Sequence, residues 1–279
     1  NLIENEIKVR YTEKIIKNGS LTLPHGSLII YRGDQTNTNY EKILLELADN
    51  YKIQLHSIYS GFSESGPDLG SDSVKLIKEK NVAILVGEDN SNSVSSLNYG
   101  AIWHFFEQEI KYPLTHLDIE NFENIDLNEF DTLIIPSGDY GTLGDENNLE
   151  KIMLWVSKGG NLVAFEDAIK IFTNKDGFSI ELKRNKFENE QKEVKYEDLN
   201  RNMIQNSVSG AIFKVNLDNT HPLAYGYPNV YYSLKTSTST YENLNGGYNV
   251  GKINEDDDST IGFVGDNIKD KFKNSLVFG

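Results

Sequence analysis

The chain has no cysteine, and this absence excludes several kinds of chemistry at once. A thiol nucleophile, a thiolate metal site and a disulfide all need a sulfur that the sequence does not encode. The absence of cysteine does not identify the cellular compartment, because a large secreted domain can be held together without disulfides. Apolar residues make up 38% of the 279 residues, which is enough to build a packed core.

Basic residues are scarce relative to acidic ones: 27 Lys and Arg stand against 42 Asp and Glu, which gives a net charge of −15. An acidic surface repels phosphate backbones and anionic lipid headgroups, so we expect no nucleic acid or membrane surface as a partner. No apolar run approaches the roughly 20 residues of a transmembrane helix, so no membrane insertion is predicted. The sequence begins at Asn1 without a visible signal peptide, which indicates a processed chain or an excised fragment.

The first part of the chain, residues 1–78, predicts a small N-terminal α/β element, rich in strands, with a linker. Turn residues separate short apolar runs within 1–32, as in a series of short strands. One face of a predicted helix carries Ile43, Leu44, Leu47 and Ala48. Residues 53–58 alternate like a strand, and 59–74, rich in Gly, Ser and Asp, predict a loop.

The remainder, residues 79–279, predicts a doubly wound α/β domain with a mostly parallel sheet. The predicted strands are 81–87, 112–118, 131–138 and 161–167. The predicted helices are 95–111 and 146–158. "NVAILVG" (81–87) is apolar without alternation, as expected of a strand that is covered on both faces.

After residue 173 the alternation of predicted strands and helices becomes less regular. Residues 181–203 are dense in charge and predict an exposed, partly mobile excursion. Strand-like pieces return at 211–217, 230–235 and 260–264, and "NSLVFG" reads as a strand just beginning, so we expect the final strand of this sheet to be missing. The acidic run from Glu255 to Asp258 lacks the spacing of a calcium loop and predicts a solvated loop.

Several stretches together resemble the C-terminal region of large bacterial zinc carboxypeptidases of the carboxypeptidase A type. They are "SGFSESGPDLGSDSVKLIKEKNVAILVGE", "YGAIWHFFEQEIKYPLTHLD", "FDTLIIPSGDYG", "LWVSKGGNLVAF", "SGAIFKVNLDNTHPLAYGY" and "IGFVGDNIKDKFKNSLVFG". The resemblance implies a class I glutamine amidotransferase-like, flavodoxin-like fold that follows a peptidase domain. It also implies that zinc belongs to the upstream domain and that the protein is secreted, periplasmic or outer-membrane-associated.

The stretch "WHFFEQE" contains His104-x-x-Glu107, the spacing of the zinc pair in carboxypeptidases. Residues three apart share a helix face, and His221 offers a distant third ligand. Against a zinc site, His104 and Glu107 fall with Gly100 and Lys111 on the polar side of the predicted helix. The opposite, apolar side is predicted to hold Leu97, Ala101, Ile102, Phe105 and Phe106. We therefore interpret the pair as a solvated helix face and expect no metal or other cofactor in this chain.

The resemblance also implies a catalytic elbow, a sharp turn that follows the fourth strand and carries a cysteine in amidotransferases. Here the elbow, residues 165–168, reads Phe165-Glu166-Asp167-Ala168. A carboxylate is a possible nucleophile in principle, but no partner base is evident in the sequence. We interpret the elbow as degenerate and expect no catalytic residue in this chain.

Polar residues that follow the predicted strands define a vestigial pocket, because ligands of open α/β sheets gather at the carboxyl ends of the strands. Its predicted members are Ser137, Gly138, Asp139, Tyr140, Glu166, Asp167 and His221. The turn "PSGDYG" is expected to offer N–H groups to a small anion or a carbohydrate hydroxyl. His221-Pro222 resembles the catalytic His-Pro-Glu of amidotransferases, but Leu223 replaces the glutamate.

These observations predict a non-catalytic accessory C-terminal domain of a secreted zinc metallocarboxypeptidase. Its partner would be the upstream peptidase domain of the same polypeptide, on which it packs or to which it shapes access. Two alternatives stay open. One is a carbohydrate- or peptidoglycan-binding module, with a small molecule or glycan as ligand. The other is a hydrolase with an unrecognised site at the carboxyl ends of the strands.

Overall fold

The computed structural model describes residues 1–184, 194–255 and 260–279. Parts of the predicted charged excursion (185–193) and of the acidic run (256–259) lie outside the described residues. The chain forms two compact units: an N-terminal unit of residues 1–79 with 219–226, and a main unit of 80–218 with 227–279. Within the described ranges, no helix is both long and apolar enough to cross a membrane.

The N-terminal unit is built from short strands and one helix. Its elements are β1 (Arg10–Thr12), β2 (Ile16–Asn18), β3 (Leu21–Leu23), β4 (Leu28–Ile29), α1 (Tyr40–Tyr51) and β5 (Val74–Leu76). Strand β1 lies between β4 and β5 in an antiparallel sheet, and β2 and β3 form a separate hairpin. Residues 219–226 join this unit, where the Tyr225 ring stacks on His25 with centroids 6.0 Å apart.

The strand predicted at 53–58 is wrong, because this segment is irregular and mostly exposed. The segment joins neither sheet of this unit, and Ile53 and Leu55 are exposed, so the alternation does not mark a buried face. Strand β5 instead begins at the end of the predicted loop. Asn18 helps to hold the loop, because its side-chain amide donates to the carbonyls of Ser60 (3.0 Å) and Phe62 (2.9 Å).

The main unit contains the predicted parallel sheet. Its first elements are β6 (Val82–Val86), β7 (Asn92–Val94), α2 (Ser96–His104), β8 (Thr115–Asp118), β9 (Thr132–Ile135), β10 (Gly138–Tyr140), α3 (Glu146–Ser157) and β11 (Asn161–Ala164). The strand order is β11-β9-β6-β8, with every pairing parallel. This is the 2-1-3-4 order of flavodoxin-like doubly wound sheets. Strands β7 and β10 form a separate antiparallel ribbon.

Helices cover both faces of the parallel sheet. One face packs against α3, in a cluster that includes Leu85, Leu133, Ile135, Leu149, Ile152 and Trp155. The other face packs against α2, in a cluster that includes Val82, Ile84, Ile134, Tyr99, Ile102 and Phe106. Each fully buried Leu or Ile side chain stabilises the fold by about 1.5–3 kcal/mol. The predicted doubly wound α/β fold with a mostly parallel sheet is therefore confirmed.

Helix α2 presents a narrower apolar stripe than the sequence predicted. Its sheet-facing residues are Tyr99, Ile102 and Phe106, whereas Leu97 is 87% exposed and Phe105 is 51% exposed. Leu97 lies two residues, or about 200°, away from Tyr99 on the helix surface, so both cannot face the sheet. The predicted inward positions of Leu97, Ala101 and Phe105 are wrong, because all three residues are exposed. The helix ends in a π-helical turn at Phe105–Glu109.

The last part of the chain adds a second, antiparallel sheet. Its elements are α4 (Leu199–Gln205), β12 (Val208–Leu217), β13 (Val230–Lys235), β14 (Gly251–Ile253), β15 (Ile261–Val264), α5 (Lys269–Phe272) and β16 (Leu276–Phe278). The long strand β12 pairs with β13 on one side and with β14 and β15 on the other. Alternate residues Ala211, Phe213 and Val215 are buried, and the Phe213 ring stacks on Phe272 at 4.8 Å. In the described end of the charged excursion, residues 194–198 are exposed and lead into α4, which contains 199–203.

Candidate functional site

The turn after β9 is fixed by the hydrogen bonds of Ser137. Its main-chain N–H donates to Asn98 Oδ1 at 2.8 Å, and its carbonyl accepts from the Ser95 N–H at 2.9 Å. Its Oγ accepts from the Asp167 N–H at 3.4 Å. Ser137 is buried, so these bonds satisfy polar groups that would otherwise be costly to bury. The Ser137 N–H belongs to the turn that was expected to bind an anion, but it donates to the Asn98 side chain instead.

The next three residues of this turn form strand β10. A Cβ on Gly138 would lie 2.5 Å from the Ser93 carbonyl oxygen, so only glycine fits against the neighbouring strand β7. Asp139 is exposed. Tyr140 is buried and its hydroxyl donates to the Pro136 carbonyl at 2.7 Å, while burial raises the pKa of the phenol. Tyr140 is thus directed into the core.

The elbow after β11 has a strained backbone at Glu166. Its φ of 49° is left-handed, a conformation that non-glycine residues seldom adopt. The surrounding structure holds this conformation, because the Phe165 N–H donates to the Ile135 carbonyl at 3.0 Å and Tyr241 Oη donates to the Glu166 carbonyl at 3.2 Å. Strain of this kind costs about 1–3 kcal/mol and is frequent at functional sites. The elbow is therefore the part of the predicted pocket with the strongest structural signal.

Two residues that sequence reasoning missed, Lys235 and Tyr241, complete this site. Lys235 is the last residue of β13 and pairs with the buried Ala211, so its side chain lies on the inner face of the antiparallel sheet. Burial lowers the pKa of Lys235, and the carboxylates of Glu166 and Asp167 act in the opposite direction. Inward and outward residues alternate along "VYYSLK", but the sequence alone does not show on which face the lysine lies. The pairing register of the strand shows it.

The charged side chains at the elbow are one ion pair, between Asp167 and Lys170, and two further residues, Glu166 and Lys235. Asp167 Oδ1 lies 2.7 Å from Lys170 Nζ. Glu166 and Lys235 form no ion pair within 4 Å with any residue of the described ranges. The structure thus brings Ser137, Glu166 and Asp167 of the predicted pocket together, and it adds Lys235, Tyr241 and Lys170 to them. These six residues form what we term the elbow site.

The histidines lie elsewhere. His221 belongs to the N-terminal unit, where its Nδ1 accepts from the Leu223 N–H at 3.3 Å. His104 and Glu107 are both exposed, at the end of α2 and in the π-helical turn that follows. His116 Nδ1 lies 2.8 Å from Tyr99 Oη. Over the residues that the structure describes, no three His, Asp or Glu side chains are placed to share a metal ion.

Tyr241 makes the free energy of unfolding depend on pH in the alkaline range. Burial, and to a lesser extent the Asp167 carboxylate, raise the pKa of Tyr241 to about 12. An unfolded tyrosine ionises near pH 10, so above that pH the unfolded chain loses a proton that the folded chain keeps. The free energy of unfolding should therefore fall between pH 10 and 12, with about 2–3 kcal/mol of the loss due to Tyr241.

We expect Tyr241→Phe to remove this part of the alkaline loss. At pH 7 the variant should be less stable by about 1 kcal/mol, because the hydrogen bond to the Glu166 carbonyl is gone. The difference from the parent should shrink or reverse as the pH approaches 12. Urea unfolding at a series of pH values measures this, with the exposed Tyr232→Phe as the control. A constant difference between Tyr241→Phe and the parent at all pH values would contradict the assignment.

Comparisons with known proteins give a distant likeness in fold. No protein-family model matches the chain, and no curated protein matches it. The chain is similar to a glutamine amidotransferase from Thermotoga maritima, at 9% identity and a TM-score of 0.38, over 68% of this chain and 74% of that one. It is also similar to a ThuA-like protein from Bacteroides uniformis, at 9% identity and a TM-score of 0.38, over 67% of this chain and 78% of that one.

Proposed function

We propose that this chain is the non-catalytic accessory C-terminal domain of a secreted zinc metallocarboxypeptidase. It packs on the upstream peptidase domain or shapes access to it. The peptidase, its zinc and its secreted, periplasmic or outer-membrane location come from the sequence resemblance. The observation that supports a role without amidotransferase chemistry is the elbow, where Glu166 occupies the strained position at which that resemblance implies a cysteine.

A second observation supports the absence of acyl transfer. An oxyanion is stabilised by N–H groups that point at the position where its charge develops. Here the Ser137 N–H already donates to Asn98 Oδ1 at 2.8 Å. Breaking this bond to receive a substrate oxygen would leave Asn98 Oδ1 without that donor, so the turn is better suited to a structural role than to catalysis.

The proposal is tested with the full-length gene and the same gene truncated before this region. We expect the truncated peptidase to keep its zinc, because the ligands lie upstream. It should have a lower melting temperature, or an altered kcat/KM towards bulky substrates. The measurements are metal analysis, calorimetry and peptidase assays on small and large substrates. Equal stability, equal activity and equal substrate range in the two proteins would remove support for an accessory role.

A second candidate function is carbohydrate binding, which exposed tyrosine rings favour. Tyr227, Tyr231 and Tyr232 are all exposed, and the rings of Tyr227 and Tyr231 meet at 6.0 Å with their planes at 80°. Aromatic side chains with one polar end commonly serve as contact surfaces. If the isolated chain sediments with peptidoglycan and the double variant Tyr231→Ala, Tyr232→Ala does not, this candidate gains over the first. Failure of the parent chain to sediment would eliminate it.

A further inference from the structure

Two Asn-Gly pairs occur in the sequence, and the first of them, Asn18-Gly19, is protected by its contacts. An asparagine that precedes glycine is open to attack by the next main-chain nitrogen, because no side chain hinders the approach. The attack requires the amide carbon to rotate towards that nitrogen. Asn18 ends β2 and is half-buried, and its Nδ2 donates to the carbonyls of Ser60 (3.0 Å) and Phe62 (2.9 Å). Both hydrogen bonds must break before the amide can rotate.

The second pair, Asn245-Gly246, lies at the tip of a loop that is closed at its base. Asn249 closes it, because its Oδ1 accepts from the Leu244 N–H at 2.7 Å and its Nδ2 donates to the Leu244 carbonyl at 3.2 Å. Residues 245–247 form a bend outside any helix or strand, and all three are exposed. Neither the Asn245 side chain nor the Gly246 N–H forms a hydrogen bond with the residues that the structure describes. The amide and the attacking nitrogen are therefore both available for reaction.

We propose that Asn245 is a site of spontaneous deamidation, with the Gly246 nitrogen as the intramolecular nucleophile and water as the co-reactant. The Gly246 nitrogen adds to Cγ of Asn245, its proton leaves with the amide nitrogen as ammonia, and a cyclic succinimide forms. Water then opens the ring at either carbonyl and yields aspartate or isoaspartate. The amide nitrogen is thus exchanged for a water oxygen, and nothing is oxidised or reduced. This inference goes beyond the accessory role and does not depend on a peptidase domain.

The reaction changes the wall of a cavity. Gly246 lines a cavity of about 340 Å³ whose other walls include Leu162, Tyr241 and Leu276. Conversion of the preceding asparagine adds a negative charge next to this mostly apolar lining. Isoaspartate also lengthens the main chain by one carbon within the loop that Asn249 closes. The charge and the shape of this wall therefore change as the protein ages.

The experiment follows both Asn-Gly pairs in the full chain. The protein is incubated in mildly alkaline buffer, and peptide mass spectrometry measures the rate of conversion at Asn245 and at Asn18. An isoaspartyl methyltransferase, which methylates the carboxylate of isoaspartate, identifies that product. The same incubation in urea is the control, because both asparagines then precede glycine without folded contacts. Gly246→Ala is the matched variant, since its Cβ would meet nothing closer than Ser179 Oγ at 3.9 Å and the fold is kept.

We expect Asn245 to convert about tenfold or more faster than Asn18 in the folded chain, because two hydrogen bonds hold the Asn18 amide. In urea the two rates should become similar. Gly246→Ala should slow Asn245 about tenfold or more and leave Asn18 unchanged, because the added methyl group hinders ring closure. Circular dichroism confirms that the variant is folded. Conversion at Asn245 no faster than at Asn18, the same excess in urea, or an unchanged rate in Gly246→Ala would overturn the proposal.

Discussion

Replacing Ile152 by alanine is expected to lower the free energy of unfolding by about 2–5 kcal/mol. Ile152 is 0% exposed and points from α3 into the cluster on one face of the parallel sheet. Truncation removes buried methyl groups and leaves a cavity that the surrounding strands can fill only in part. Urea unfolding, followed by tryptophan fluorescence, measures the loss.

Leu154→Ala is the matched control for Ile152. It lies on the same helix but is 58% exposed, so its removal should change the stability by no more than about 0.5 kcal/mol. Similar losses for the two variants would mean that α3 does not bury the face that the structure gives it.

The second large effect is expected for Asn92→Ala, with a loss of about 1–3 kcal/mol from the unpaired polar groups that remain. Asn92 is buried and links its own turn at Asp89 to residues 142–143. Its Nδ2 donates to Asp89 Oδ2 at 2.8 Å and to Thr142 Oγ1 at 2.7 Å, and its Oδ1 accepts from the Leu143 N–H at 3.1 Å. Without this side chain, the Leu143 N–H is left buried and unpaired.

The same substitution has a second readout at Asp89. The Asn92 side chain, followed by the Ser91 N–H, holds the pKa of the Asp89 carboxyl below its usual value. In Asn92→Ala the pKa of Asp89 should rise towards the ordinary range, which an NMR titration of the carboxyl carbon detects. Asn90→Ala, an exposed neighbour, should change neither stability nor this titration. An unchanged Asp89 titration in Asn92→Ala would show that the amide contact does not form in solution.

The parallel sheet could be predicted from the sequence because its signal is local. A strand covered on both faces is apolar at every position, and "NVAILVG" and "DTLIIP" show this directly. Strand–helix alternation then gave the doubly wound sheet. The segment 53–58 shows the limit of this reasoning, because its residues alternate but it pairs with no strand of the described residues. A strand needs a partner, and the sequence of one segment does not reveal whether the partner is free.

The elbow could be located from the sequence, but the groups that act on it could not. Glu166 lies in the predicted elbow, residues 165–168, whereas Lys235 lies 69 residues later and is directed to the inner face of its sheet only by the register of β12 and β13. Asn98 lies within the predicted helix 95–111, and nothing in that pattern indicates that its amide oxygen accepts from the Ser137 N–H. Such contacts depend on long-range pairing, in which a shift by one residue would turn Lys235 to the other face of the sheet.

Residues 219–226 have a consequence for how the chain folds during synthesis. They belong to the N-terminal unit, where Tyr225 packs against His25 and Gly26, although more than a hundred residues of the main unit precede them. Domains commonly fold in order as the ribosome releases them. Here residues 1–79 are translated before the main unit, but their unit is not complete until residue 226 has emerged. Until then, the surface of His25 and Gly26 that Tyr225 covers stays exposed on the nascent chain.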